Sequence, residues 1–438
     1  MGIMKPDFED FSWFDSNGRL LKIQDEDGYV YRAITENSLR IFRSLEEYQK
    51  LDFLFNIGLV ETELTAFKVE GYAAVLRHKK IPFISEPNEW TMKMLAEAGK
   101  TIVRLAIELN KLGYALQDAH PWNVSFEGAK PIFFDWGSII NKEQVTPNKW
   151  LLEFRKHIYL PIWLYSKGFK TIAYESLWER RGGSAKYLFN HRYFRFIPFS
   201  YNRLLKSHII ENFQQTLLKL FTLISKIKID ADTRFWSDYD QTSYAYKDLA
   251  FDEFLAMISI PSDIMDFGCN KGAYSIKCSH AGHQLVALDN DEKSVDSLFE
   301  YVKENGSNIT PLRIDVMRPT PNYGPDLRSL NLFDRLKCDY VIAFAISHHL
   351  AKNCSLRFEA LARILSYYSK KGVLVEFVDP EDYHLKNWSN KGWKTPNWYS
   401  EQNFIDSFSL YFKLVKKWET PPGDRNVRKI LYFQNFNT

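Results

Sequence analysis

The chain has little cysteine: four in 438 residues, at Cys269, Cys278, Cys338 and Cys354, with no Cys-x-x-Cys pair and no Cys/His cluster at zinc-ligand spacing. This excludes a disulfide framework and a zinc finger or ribbon, and predicts a cytoplasmic setting with reduced thiols. Also missing is any run of about 18 uninterrupted apolar residues, so no membrane-spanning helix is expected. "MGIMKPDFEDFSWF" has no basic segment leading into an apolar one, as a secretory leader would. Its sixth residue is Pro6, where a myristoylation signal carries Ser or Thr. Net charge is small, +3, but unevenly spread. Residues 149–228 hold 15 Lys/Arg against 4 Asp/Glu, leaving the remainder mildly acidic.

With 438 residues the chain exceeds what one core normally serves, so at least two domains are expected. Apolar residues make up 45% and charged residues 25%, an ordinary globular balance, while aromatics reach 16%. Four regions follow from pattern. Residues 1–148 begin with short β-rich runs, "GRLLKI" and "GYVYRAI", between turn signals. A helical stretch then starts at Ser38 and closes at Gly58, and the long periodic segment "EWTMKMLAEAGKTIVRLAIELNKLG" predicts a helix ended by Gly113. Residues 149–228 read as a helical, basic, aromatic-rich insert, and 229–250 as a linker. From 251 to 438 strands and helices alternate: "SDIMDFG", "QLVALD", "ITPLRID", "CDYVIAFA" and "GVLVEFV" are strands, and an antiparallel pair, "FKLVKKWET" and "VRKILYFQN", closes the chain. The fold class expected here is α/β, an open, mainly parallel, Rossmann-like sheet with helices on both faces. Ligands of such sheets sit at the carboxyl ends of the strands.

At the end of the first of these strands stands "DFGCNKG", Asp266 to Gly272. Gly268 permits a tight turn and Gly272 close packing of the next helix. Asn270 holds the middle position, where asparagine best tolerates a left-handed backbone. Asp289 ends the second strand, where a carboxylate can accept both hydroxyls of a ribose, and Asp315 ends the third, within reach of an adenine amino group. No phosphate-binding lysine accompanies them.

This combination resembles the class I S-adenosylmethionine-dependent methyltransferases, from about Asp252 to the C-terminus. The resemblance implies S-adenosylmethionine as cofactor. Asp266, Gly268, Cys269, Asn270 and Gly272 would lie around its methionine moiety, Asp289 on its ribose and Asp315 at its adenine. "AFAISHHLAKN" and "VEFVDPEDYHLKNW" then land beside the methyl group. His348 or His349 is the candidate base for a hydroxyl acceptor, with Glu376, Asp379 or Glu381 as orienter or second base. Packing under the cofactor is the alternative role for either ring.

In the first region, "LQDAHPWNVSF" and "FFDWGS" resemble the catalytic and metal-binding segments of aminoglycoside-phosphotransferase-like kinases. The resemblance implies Asp118 as base and Asn123 and Asp135 as magnesium ligands. Leu116 and Gln117 replace the histidine that opens the loop in that family, and no glycine-rich phosphate loop occurs in the first 75 residues. Lys22 and Lys68 lie on plausible strands but lack the context of a phosphate-orienting lysine. The expectation is therefore a pseudokinase, a degenerate α+β kinase-like domain without bound metal. The order of parts is similar to that of two-part bacterial methyltransferases associated with nodulation and surface-glycan modification. It implies an O-methyltransferase whose acceptor is a small polar metabolite or glycan. A bifunctional kinase-methyltransferase and an RNA-modifying enzyme remain as alternatives. Residues 149–228 are a candidate for peripheral contact with anionic surfaces, and no recognised nucleic-acid-binding motif is present.

Overall fold

The computed structural model describes residues 5–9, 17–23, 28–178, 212–230, 245–323, 327 and 329–436. The chain divides into two compact units, residues 1–230 with 324–329, and residues 231–323 with 330–438. The segment "SAKYLFNHRYFRFIPFSYNRLLK", the glycine pair 182–183 and most of the linker lie outside the described residues.

In the first unit, β1 (Gly18–Leu20), β2 (Tyr29–Ile34), β3 (Thr62–Leu64) and β4 (Ala74–Lys79) form an antiparallel sheet in the order β1-β2-β4-β3. Ala33, Val75 and Leu21 face one small core with Tyr31 and Val69. The helix after β2 spans Glu36–Glu47 and is preceded by Thr35, not Ser38. Ser38 lies inside it, buried, with its hydroxyl donating to the Asn17 carbonyl. The expected single helix breaks at Gln49, whose φ is +52°, and resumes at Leu51–Asn56. Gly58 ends it because no side chain fits: a Cβ would stand 2.6 Å from Thr101 Cγ2 and 2.8 Å from the Pro131 carbonyl.

The predicted long helix spans Met92–Lys111 and is capped by Thr91, whose Oγ1 accepts from the Met94 amide. After it come β5 (Tyr114–Leu116), the hairpin β6 (Val124–Glu127) and β7 (Lys130–Phe133), and β8 (Ile139–Asn141), paired with β5. The described part of 149–228 is helical, and several of its side chains are buried. Trp150, Phe154, Ile158, Tyr159 and Tyr165, with Leu217, Leu220 and Ile224 of helix Phe213–Ser225, are all buried. A Cβ on Gly99 of the long helix would meet Ile158 at 2.6 Å and Ile224 at 2.8 Å. Much of the aromatic excess read from the sequence is therefore spent on core, where each ring buries a large apolar area.

The second unit is built on seven strands: β9 (Asp263–Phe267), β10 (Gln284–Asp289), β11 (Ile309–Arg313), β12 (Cys338–Ala343), β13 (Ser369–Val378), β14 (Phe412–Glu419) and β15 (Arg428–Asn435). Their order is β11-β10-β9-β12-β13-β15-β14. The first five pair in parallel, and β15 runs antiparallel to both β13 and β14. Parallel strands covered on both faces need continuous apolar runs, and Leu285–Leu288, Val341–Ala343 and Val373–Val375 are such runs, nearly unexposed. The edge strand β14, "FKLVKKWE", carries lysines along its rim, which discourages further pairing. Two short helices, Ser347–Cys354 and Tyr383–Asn390, follow β12 and β13, and the helix Ala245–Met257 begins inside the stretch read as a linker. Among the described residues no helix is long and apolar enough to cross a membrane.

Candidate functional site

The order of the second sheet reverses between β9 and β12. The chain leaves these neighbours in opposite directions, and in such sheets ligands sit at this point, beyond the carboxyl ends of the strands. The turn after β9 is held in an unusual backbone. Gly268, Asn270 and Gly272 have φ of +87°, +50° and +78°, so the asparagine does occupy a left-handed position. A Cβ on Gly268 would stand 2.7 Å from Ile346 Cδ1, and one on Gly272 2.6 Å from Leu298 Cδ1. Gly272 thus admits a neighbouring helix's leucine at the start of helix Ala273–His280.

The amides of this turn are spent internally. Gly268 and Cys269 both donate to the Leu288 carbonyl, at 2.8 and 2.9 Å, and Gly272 donates to Cys269. Asn270 N–H donates to Asp289 Oδ2 at 2.7 Å, and Asp291 N–H to Asp289 Oδ1 at 2.8 Å. Asp289 is thereby fixed at the tip of β10, its carboxyl raised by burial against the pull of those amides. Asp266 is 4% exposed and accepts from Ser275 Oγ at 2.6 Å; burial raises its carboxyl to about 6. It braces the turn from beneath. Asp315, expected to end the third strand, lies two residues beyond the last residue of β11, Arg313, and accepts from the Met317 amide at 3.0 Å in a turn of its own making. Cys269 is buried, and burial drives its thiol well above the ordinary range.

After β12, helix Ser347–Cys354 carries His348 and His349. Their rings lie 4.2 Å apart, and Trp388 of helix Tyr383–Asn390 stacks on His348 at 5.4 Å and leans on His349 at 5.1 Å. Lys352 Nζ stands 3.7 Å from the Trp388 ring centre. His348 is 3% exposed. Burial, then His349 and Arg428, hold its imidazole well below the usual range, while burial, then Lys352 and Arg428, bring His349 down to about 4. Both are neutral at pH 7.

Glu376, at the end of β13, has a geometry that differs from the one expected of a base. It is fully buried, and its carboxylate accepts from Lys247 Nζ at 2.9 Å, Arg428 Nη1 at 3.3 Å, Tyr246 OH at 3.2 Å and the Ala345 amide at 2.6 Å. Its carboxyl is held at about 2, because Lys247 and Arg428 outweigh the opposing effect of burial. Arg428 also donates from Nε to the buried Asp382, at 3.0 Å. Asp379 and Glu381, the other sequence candidates, pair with Lys429 and Lys386. Lys247, Arg428, Asp382 and Trp388 were not singled out from sequence. The only signal was an arginine at a buried position of "VRKILYF", where the alternation asks for an apolar residue.

In the first unit, Asn123 Nδ2 donates to Asp135 Oδ2 at 3.3 Å, so two residues of the kinase-like pattern do meet. Arg32 Nη1 of β2 stands 3.4 Å from Asp135 Oδ1. Neither Lys22 nor Lys68 lies on a strand; the cation beside Asp135 is Arg32, on β2. Asp118 donates its amide to Ser138 Oγ, and its side chain converges with His120 and Glu153. Burial, then His120, lowers the neighbouring His157 to about 4.

The class these features define in the second unit is a doubly wound, mainly parallel α/β domain. No family model matches the chain. Over 452 aligned positions, 94% of this chain and 92% of the relative, it is 25% identical to the nodulation protein NoeA of Rhizobium meliloti (strain 1021). The solved N-methyltransferase NodS of Bradyrhizobium japonicum WM9 aligns with 45% of this chain and 99% of its own, at 11% identity and a TM-score of 0.33. Magnesium protoporphyrin IX methyltransferase (ChlM) from Synechocystis PCC 6803, solved with bound S-adenosylmethionine, aligns with 47% of this chain and 86% of its own, at 16% identity and a TM-score of 0.32.

Proposed function

We propose that the chain is an S-adenosylmethionine-dependent methyltransferase acting on an oxygen of a small polar metabolite or glycan. The observation that carries this reading is how the turn after β9 uses its amides. Four of its five, those of Gly268, Cys269, Asn270 and Gly272, are bound within the protein. A dinucleotide site needs such amides for a pyrophosphate. Here they build a neutral cradle instead, suited to a nucleoside that lacks phosphate. The sheet agrees: where a dinucleotide fold adds a sixth parallel strand, this one inserts antiparallel β15.

When bound, S-adenosylmethionine supplies an electrophilic methyl group on a sulfonium. Asp289 holds the ribose hydroxyls on the lone pairs its amide donors leave, and Asp315 meets the adenine amino group. Gly268, Cys269, Asn270 and Gly272, braced by Asp266, flank the methionine portion. On the acceptor side His349, the more exposed of the two rings and neutral at pH 7, takes the hydroxyl proton, and His348 packs behind it against Trp388. Glu376 serves as the anchor of this edge, fixing Ala345 and the start of the histidine helix.

The first unit is read as a kinase-like module that no longer transfers phosphate, since Arg32 and Asn123 engage both oxygens of Asp135. The identity with the nodulation protein spans both units, which supports a shared two-part organisation. A cytoplasmic setting accords with this cofactor.

Calorimetry of the full chain with S-adenosylhomocysteine tests the reading. Binding is expected, weakened by about 1.5–3 kcal/mol in Asp289→Ala, the worth of a hydrogen bond to a charged group. Equal affinity in the variant, or tighter binding of NAD than of S-adenosylhomocysteine, would overturn it.

A further inference from the structure

We propose that Asp118, His120 and Glu153 in the first unit bind a divalent transition-metal cation of the zinc type. Nothing in the methyl-transfer reading uses this cluster, and the proposal stands or falls independently of it.

The three side chains each offer a donor atom, all lying within 4.8 Å of one another. Two carboxylates and one imidazole form the mixed oxygen and nitrogen set that zinc accepts, with a fourth position left for water. All three are half-buried, so an ion has a route in and is partly shielded once bound. The imidazole is the discriminating ligand, because magnesium prefers oxygen donors alone and sheds its water reluctantly.

The cluster is supported around its rim. The Ala119 amide donates to Glu153 Oε2 at 2.7 Å, which orients that carboxylate from behind, as the outer contacts of metal ligands do. Two buried imidazole nitrogens in this region, one of them on a ligand of the cluster itself, lack a hydrogen-bond partner. His157 lies one helical turn beyond Glu153 on the same rod, where the helix Pro147–Phe154 runs on into the wider turn Arg155–Tyr159. It is only 7% exposed, and its Nδ1 is buried without a hydrogen-bond partner; the Nδ1 of His120 is in the same condition. Trp122 bridges the two rings, with centroids 5.8 Å from His120 and 5.0 Å from His157. A buried imidazole nitrogen without a partner costs free energy unless something fills the place.

The site is separate from the magnesium pair implied by the kinase resemblance. Asn123 and Asp135 are bound to each other, and Arg32 stands on the remaining oxygen. The catalytic-loop pattern "DAHPWN" thus contributes its aspartate and histidine to a cation, while its asparagine is committed elsewhere.

The test uses the full chain, freed of metal by chelation and titrated calorimetrically with zinc chloride. One equivalent is expected to bind in His348→Ala, which removes an unrelated histidine, as in the wild type. Both His120→Ala and Glu153→Gln should weaken binding at least about tenfold, the lower end for lesions in a metal's outer contacts. Magnesium chloride at millimolar concentration should not compete. Cobalt substitution gives a second readout: a visible band from four-coordinate cobalt should appear in the wild type and vanish in Glu153→Gln, whose glutamine still accepts from the Ala119 amide. Zinc affinity unchanged in both variants, absence of stoichiometric binding, or an adventitious ion only, shown by loss in His348→Ala instead, would overturn the proposal.

Discussion

Arg428 Nη1 and Glu376 Oε1 meet at 3.3 Å, with 3% and 0% of their side chains exposed, inside the carboxyl edge of the second sheet. Two buried charges need full satisfaction, and here they have it. Lys247, Tyr246 and the Ala345 amide complete Glu376, and Asp382 completes Arg428. Arg428→Met should therefore destabilise the second unit by about 3–5 kcal/mol, the cost of stranding one member of a buried pair. Urea unfolding at pH 7 measures it. A loss below about 1 kcal/mol, the range of surface pairs, would mean that the network is solvated.

The same carboxylate sets an acid limit. Glu376 titrates at about 2 in the folded chain and at its ordinary value when unfolded, so its stabilisation is present above that ordinary value and lost as pH falls toward 2. The histidines act earlier. His349 is lowered to about 4, so below pH of about 6.5 the unfolded chain takes up a proton that the folded one refuses. Each such ring removes about 1.4 kcal/mol per pH unit down to its folded value. Asp266, raised to about 6, opposes this over part of the range, because its contribution is lost as pH rises through 6. Urea midpoints at pH 7, 6 and 5 should fall progressively, and His349→Gln should flatten the decline. A decline of unchanged slope in that variant would remove His349 from the account.

For methyl transfer, a base with a folded value of about 4 is already in its accepting form at neutral pH. The rate should then be flat from pH 6 to 8, with its ascending limb near 4. His349→Ala should lower the rate by about 10²–10⁴-fold while leaving S-adenosylhomocysteine affinity intact. A limb at an ordinary imidazole value, or joint loss of cofactor binding, would assign the ring to packing.

Much of the second unit was legible because its signals are local. A left-handed asparagine between two glycines, a carboxylate closing β10 at Asp289, and apolar runs long enough for strands covered on both faces each follow from a few neighbouring residues. The partners of Glu376 were not legible. Lys247 and Arg428 stand 129 and 52 residues from it in sequence. A lysine on a helix's first turn reads as solvated until the fold closes over it. The burial of Trp150 and Phe154 was not legible for a related reason: basic and aromatic composition is the same whether rings face solvent or the core. Cap position failed for Ser38 because its hydroxyl finds the Asn17 carbonyl, a contact 21 residues away.

A change at Gly268 tests the turn apart from the side chains proposed to hold the cofactor. An alanine there would adopt φ near +87° and drive its Cβ to 2.7 Å from Ile346. Gly268→Ala should weaken S-adenosylhomocysteine binding at least about tenfold, since left-handed strain alone costs about 1–2 kcal/mol. Pairing it with Ile346→Ala should recover part of the loss by relieving the contact but not the strain. Calorimetry on the three variants checks this, and full recovery in the pair would show that the backbone is more forgiving than its angles imply.

Arg32 and Asn123 together decide whether the first unit handles nucleotide. A magnesium ligand must offer a free carboxylate oxygen, and Asp135 has a guanidinium nitrogen 3.4 Å from one oxygen and an amide nitrogen 3.3 Å from the other. To admit the ion, Arg32, which is 6% exposed, would have to leave its pocket and hydrate, at a cost that sparse phosphate contacts are poorly placed to offset. ATP with magnesium should therefore neither be hydrolysed above background nor raise the melting temperature of the full chain. Binding of any useful strength would be visible, since a hundredfold excess over the dissociation constant stabilises by about 2.7 kcal/mol. Arg32→Ala adds a sharper comparison: it frees one oxygen of Asp135 without supplying the missing phosphate loop, so ATP should still fail to stabilise. A melting shift in the wild type that disappears in Asp135→Ala would instead establish a working nucleotide site, and with it an enzyme of two activities.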